Sequence, residues 1–197
     1  MGEPLTPATK PSALSHLREL DAKIDAFTAR VATRYPGELA CTAGCSDCCR
    51  LELTVTAVEA YRIASAVASL DPAAREVLAA RAVDGAPCVA LGDDDRCAIY
   101  EVRPLVCRSH GVPLRFVEPD EPGRRSLPVI DACEKNFTER ADLASLDPAC
   151  VLDQQTLSAT LGAIDALFAE EAGEPRGVRF SLRDVVLAGA RGEVGES

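Results

Sequence analysis

The chain has 197 residues, of which 21 are basic and 31 acidic, for a formal charge of −10. That balance argues against nucleic-acid and anionic-membrane partners, both of which demand a cationic face to displace counterions. Hydrophobic residues make up 47%, enough for a core, yet there are nine Cys against five Phe, three Tyr and no Trp. The core must therefore be built from Ala, Leu and Val, and the cysteines are the chemical outlier.

Residues 1–11 hold prolines among small polar residues and read as a disordered lead. No secretory signal and no membrane-length apolar run is visible in the sequence, so the expectation is a cytoplasmic chain with reduced thiols. Leu14, Leu17, Leu20, Ile24, Phe27 and Val31 recur at three- and four-residue steps, predicting an amphipathic helix over 12–35 that ends at Pro36-Gly37. Four cysteines follow at once, Cys41, Cys45, Cys48 and Cys49. Thr54-Val55-Thr56 then leads into a helix over 56–70, with Thr56 and Glu59 at capping-box spacing. Asp71-Pro72 opens another, to about Val83, with Asp as cap and Pro at the first helical position.

Residues 84–134 are rich in Gly and Pro and predict little regular structure beyond one or two turns between Ala98 and Cys107. They also carry Cys88, Cys97, Cys107 and Cys133. So long an irregular stretch in a compact domain needs something to tie it down. Leu146-Asp147-Pro148 marks the start of a long helix over 148–172, with Leu157, Leu161, Ile164, Leu167 and Phe168 on one face. Ser181 and Asp184 open a last short helix, and residues 191–197 read as a tail. The expected fold class is mainly α: a single domain over 12–190 in which helices pack around an irregular, metal-stapled cysteine module at 41–133.

Thiolates two to four residues apart on a loop can converge on one ion, and Gly44 before Cys45 suits such a turn. Eight cysteines, Cys41, Cys45, Cys48, Cys49, Cys88, Cys97, Cys107 and Cys133, are thus candidate metal ligands. They suffice for two four-thiolate sites, or for one centre with supporting thiols. Cys150 stands apart and reads as a structural thiol. Only two histidines are present, so any centre is nearly all sulfur, which suits an iron–sulfur cluster or zinc and disfavours magnesium, calcium and copper(II). The compact ligand grouping tilts this toward iron–sulfur. Arg103, Arg108 and Tyr100 lie close in sequence to the cysteines and are candidates to face the bound centre, the arginines by offsetting thiolate charge. Arg50 and Arg96 share that position, and the alternative for all four arginines is ordinary pairing with nearby carboxylates. His110 is either a further ligand or a solvent-facing residue.

Cys41-x3-Cys45-x2-Cys48-Cys49, the Thr-x-x-Glu helix start, and Cys97-x-Ile99-Tyr100-Glu101-x-Arg103-Pro104-x-x-Cys107-Arg108 together resemble the YkgJ-like cysteine-cluster family. That family is named for CxxCxxCC and described as zinc- or iron-chelating. The first spacing here is one residue longer than the name implies, and Cys88 after Pro87 occupies the family's upstream Pro-Cys position. The resemblance spans roughly residues 41–133 and implies metal chelation rather than a particular reaction. The function expected is a metal-binding protein with a structural, redox or metal-handling centre. The alternatives are an enzyme that activates substrate at the centre, in a pocket lined by Arg103, Arg108 and Tyr100, or a thiol–disulfide protein.

Overall fold

A computed structural model describes residues 12–41, 44–81, 88–117 and 127–193. The expected lead at 1–11 and the end of the expected tail lie outside them. Six α-helices are present among the described residues: α1 Ser12–Arg34, α2 Ala57–Ala68, α3 Pro72–Ala80, α4 Leu105–Arg108, α5 Gln154–Ala172 and α6 Leu182–Arg191. Five short strands accompany them: β1 Thr54–Thr56, β2 Leu114–Val117, β3 Pro128–Asp131, β4 Leu152–Asp153 and β5 Arg179–Ser181. The protein is mainly helical, as its periodicity indicates.

The apolar stripe of α1 is buried from Leu14 to Val31, and its upper half packs with Leu157, Ile164 and Phe168 of α5. Its C-terminal turns meet Tyr35, Val112, Phe137, Leu146 and the buried Cys150 in a second cluster. A third cluster joins Ile63 and Val67 of α2, Leu78 of α3 and Val186 of α6 to Val89 and Ile99 of the cysteine-rich segment. Helix α6 lies so close on α2 that a Cβ at Gly189 would stand 2.7 Å from the Ala64 carbonyl oxygen.

Helix starts follow the side-chain signals. Thr56 and Glu59 form a complete capping box on α2. Asp71 accepts a hydrogen bond from the Ala74 amide at α3, and Ser181 accepts from Asp184 at α6.

Two readings need correction. The long helix begins at Gln154 rather than at Pro148, because Asp147 caps only a 3-10 turn over Pro148–Cys150. The chain then extends as β4 beside β2 before Asp153 caps α5 through the Thr156 amide. Secondly, the Gly- and Pro-rich segment contains strands. β2 pairs antiparallel with β3, Leu114 opposite Asp131, and parallel with β4, Leu114 opposite Leu152. Thr54–Thr56 is likewise a strand, antiparallel to β5 with Val55 opposite Phe180.

Candidate metal centre

The cysteines ride on irregular backbone fixed at several points by the helices. Cys48 and Cys49 lie in a 3-10 turn over Asp47–Arg50. The Cys88 amide donates to the Cys49 carbonyl at 2.7 Å, which brings the second cysteine segment against the first. A β-bridge between Leu91 and Cys97 closes the intervening acidic loop. Cys107 sits in α4, and Cys88, Cys97 and Cys107 pack against the α2–α3–α6 core cluster.

Glu59, 2% exposed, anchors α4. One carboxylate oxygen accepts from the Thr56 amide (2.9 Å) and hydroxyl (2.8 Å), while the other accepts from the Leu105 amide at 2.8 Å. One side chain therefore caps α2 and holds the helix that carries Cys107. The Thr-x-x-Glu spacing revealed the cap but not its second partner, which is 46 residues away.

Cys133 arrives from the far side. The amide of Asn136 donates to its carbonyl at 2.8 Å. The buried Asn136 side chain donates to Cys41 Sγ at 3.4 Å and to the Gly111 carbonyl at 2.5 Å, and accepts from the Ala40 amide at 2.8 Å. Gly111, at φ +94°, leaves room for the Cys41 sulfur, with which a Cβ there would collide. Lys135 pairs with Asp47 in the Cys45–Cys48 turn. Sequence reading missed Asn136 and Lys135, since nothing local to Cys133 marks them.

All nine cysteines are free thiols. Cys41 is exposed, Cys150 buried, and the other seven half-buried. Burial is the main force pushing the Cys41, Cys48, Cys88 and Cys97 thiols above their ordinary value, and it takes Cys49 and Cys107 up to about 12. Neighbouring sulfurs add to the rise through like-charge repulsion. Cys41 feels Cys133, Cys45 and Cys48; Cys107 feels Cys88, Cys48, Cys49 and Cys97. Cys48 is common to both sets. Among the described residues no group of three or more His, Cys, Asp or Glu is already placed to hold a metal ion. By donor type, the free thiols suit zinc or iron.

Arg103, Arg108 and Arg96 pair with carboxylates, one of the two alternatives that the sequence leaves open. Arg108 turns toward α1, where its Nη1 donates to Asp25 at 2.6 Å and its Nε lies 3.2 Å from Asp21, while Nη2 donates to the Glu101 carbonyl at 2.8 Å. Arg62 pairs with Asp21 beside it. Burial pushes the Asp21 carboxyl up, and the two guanidinium groups pull it back. Arg103 stacks 3.8 Å above the Tyr100 ring and reaches Asp25 at 3.5 Å, though its charge still favours the Cys97 thiolate. Arg96 pairs with Asp94 at 3.9 Å. Tyr100 is exposed at 56% and lines, with Cys97, Ile99 and Val67, a groove of about 330 Å³. Neither Arg103 nor Arg108 lines that groove. His110 and His16 are both exposed.

Residues 40–123 match the family model described as "CxxCxxCC: Putative zinc- or iron-chelating domain". Comparison with curated proteins and with solved structures found no match. No helix among the described residues is long and apolar enough to cross a membrane.

Proposed function

With a zinc- or iron-chelating family model matching residues 40–123 as the premise, we propose that the chain is a thiolate metal-binding protein. Its ligands are Cys41, Cys45, Cys48, Cys49, Cys88, Cys97, Cys107 and Cys133, and its cargo or resident group is zinc or an iron–sulfur cluster. The observation that supports this reading is the family match, beside which the Cys88–Cys49 backbone hydrogen bond and the Asn136 contacts to Cys41 and to the Cys133 turn draw separate cysteine stretches toward one another.

When bound, zinc supplies a redox-inert crosslink and a cluster supplies a one-electron centre. The chain's own residues do the rest. Glu59 fixes the start of α4 and so the position of Cys107. Asn136 holds Cys41 and the Cys133 turn together. Lys135, Arg103 and Arg183 place positive charge near Cys45 and Cys133, Cys97, and Cys88 respectively, offsetting part of the negative charge that thiolate ligation builds up. Crosslinking four chain segments makes the centre a staple for an irregular stretch, with metal binding contributing to folding free energy.

Anaerobic purification followed by elemental analysis and a visible absorption spectrum tests the reading. Zinc, or iron with acid-labile sulfide and a broad visible band, retained in stoichiometric amount supports it. Protein that neither retains nor takes up either metal refutes it.

A further inference from the structure

Helix α4, which carries Cys107, is clamped at both ends. Glu59 of α2 holds its first residue, Leu105, and α1 holds its last, Arg108, whose buried guanidinium meets Asp21 and Asp25. The turn that leads into α4 from Cys97 is gripped just as closely. Every main-chain carbonyl from Tyr100 to Arg103 accepts from a guanidinium. Tyr100 accepts from Arg103 Nη1 at 2.8 Å and Glu101 from Arg108 Nη2 at 2.8 Å. Val102 and Arg103 accept from Arg62 Nη2 at 3.4 Å and 3.3 Å. The three arginines are held in turn by two carboxylates of α1. Asp21 pairs with Arg62 and lies 3.2 Å from Arg108 Nε, while Asp25 pairs with Arg108 at 2.6 Å and with Arg103 at 3.5 Å. Among the described residues no other carboxylate pairs with any of the three.

Asp21 and Asp25 stand one helical turn apart, so both project from one face of α1. Asp21 and Arg108 are buried, and without the two carboxylates three guanidinium groups would face one another with no counter-charge, which a buried site does not tolerate. Helix α1 itself remains docked through its apolar stripe from Leu14 to Val31. What the carboxylates hold is therefore the turn rather than the helix. Resting on the metal-binding reading above, we infer that Asp21 and Asp25 are positioning residues for the thiol site. Acting through Arg62, Arg103 and Arg108, they set the turn that fixes Cys97 relative to Cys107, and so govern how readily that side of the site opens. The three arginines lie inside the 40–123 match and the two aspartates outside it, which places control of this turn on a helix that the family domain does not include.

Amide hydrogen exchange on the full chain, purified without air, provides the test. D25N and the double variant D21N/D25N keep the side-chain shape and remove the charge; D25E restores the charge at a half-exposed position. Exchange over residues 99–108 should quicken about 10- to 100-fold in the double variant, the loss of one or two charge-assisted hydrogen bonds. D25N should show a smaller rise and D25E the parent's rate. Protection of α6 should be unmoved, and the buried Cys150 should stay unreactive to alkylation, because local opening leaves the remaining core closed. In chain loaded with Zn²⁺ alone, a chromophoric chelator should strip metal faster from D25N than from the parent or from D25E. Unchanged exchange over 99–108 in both neutral variants overturns the inference. So does equal quickening in α6 with Cys150 becoming reactive, which would make the pair a support of the whole fold, as does a D25E variant that behaves like D25N. Quickened exchange with unchanged zinc release overturns control of the thiol site while leaving metal binding intact. Failure of the parent chain to bind any zinc or iron removes the metal-binding reading itself, and the exchange result then still decides the role of the pair in the turn.

Discussion

Replacing Glu59 tests the link between the helical frame and the cysteine module. Its carboxylate is 2% exposed and receives three hydrogen bonds, from the Thr56 amide, the Thr56 hydroxyl and the Leu105 amide. In E59A these donors lose their partner in surroundings where Thr56 and Leu105 are themselves buried. A buried donor left unpaired costs about 1–3 kcal/mol. The Thr56 hydroxyl can rotate to another acceptor, so the two amides dominate and the expected loss is about 3–5 kcal/mol including the vacated volume. That is a large part of the roughly 5–15 kcal/mol that holds a domain of this kind together. E59Q retains the shape but turns a donor NH₂ toward either Thr56 or Leu105, and is expected to lose about 1–3 kcal/mol. Urea unfolding of the two variants beside the parent reads the difference as a shift in midpoint at constant slope. A loss below about 1 kcal/mol in E59A would show that water replaces the carboxylate, and would refute the bridging role argued from its burial.

Three further outcomes follow from the same geometry. R108A strips Asp21 and Asp25 of a guanidinium that reaches both and is expected to cost about 3–5 kcal/mol in thermal or chemical unfolding, because a buried carboxylate loses a charge partner; R108K should recover only part, lacking the fork geometry. G111A places a Cβ against Cys41 Sγ at a backbone angle of φ +94° and should destabilise the metal-free chain by about 1–3 kcal/mol, visible as a lowered unfolding midpoint. The metal-free chain should also be sensitive to alkali. Burial raises the Cys49 and Cys107 thiols from the ordinary value of 9.0 to about 12. The folded state therefore binds more protons than the unfolded one, and stability present below pH 9 is lost as pH rises from 9 toward 12. Denaturant midpoints across that range check the sign; a flat or rising profile contradicts it.

What the sequence made legible was local. The α1 stripe, the Thr56–Glu59 box, the Asp71-Pro72 start and the Ser181 cap each lie within a few residues of the structure they specify. The cysteine pattern is legible for the same reason, since its spacing is itself the signal. What stayed hidden depends on partners far along the chain. β2 is only four residues long and gains its order from β3 and from β4, so no alternating run announces it. Asp147-Pro148 and Asp153 are both competent caps, and the choice between them is made by the pairing of Leu152 with Leu114, which displaces the helix start to Gln154. Arg108 follows a cysteine directly, yet its long side chain reaches Asp21 and Asp25 on α1, 83 residues away from the latter. Asn136 is an unremarkable polar residue until the fold sets Cys41, Ala40 and Gly111 around it.

The most direct test of the central claim counts thiols protected by metal. Chain purified without air is treated with an alkylating reagent before and after chelation, and the modified residues are read by peptide mass spectrometry. The account predicts that Cys41, Cys45, Cys48, Cys49, Cys88, Cys97, Cys107 and Cys133 are protected until the chelator acts and are then modified, with the buried Cys150 unreactive in the native fold both times. Equal modification of those eight cysteines with and without the chelator would contradict it.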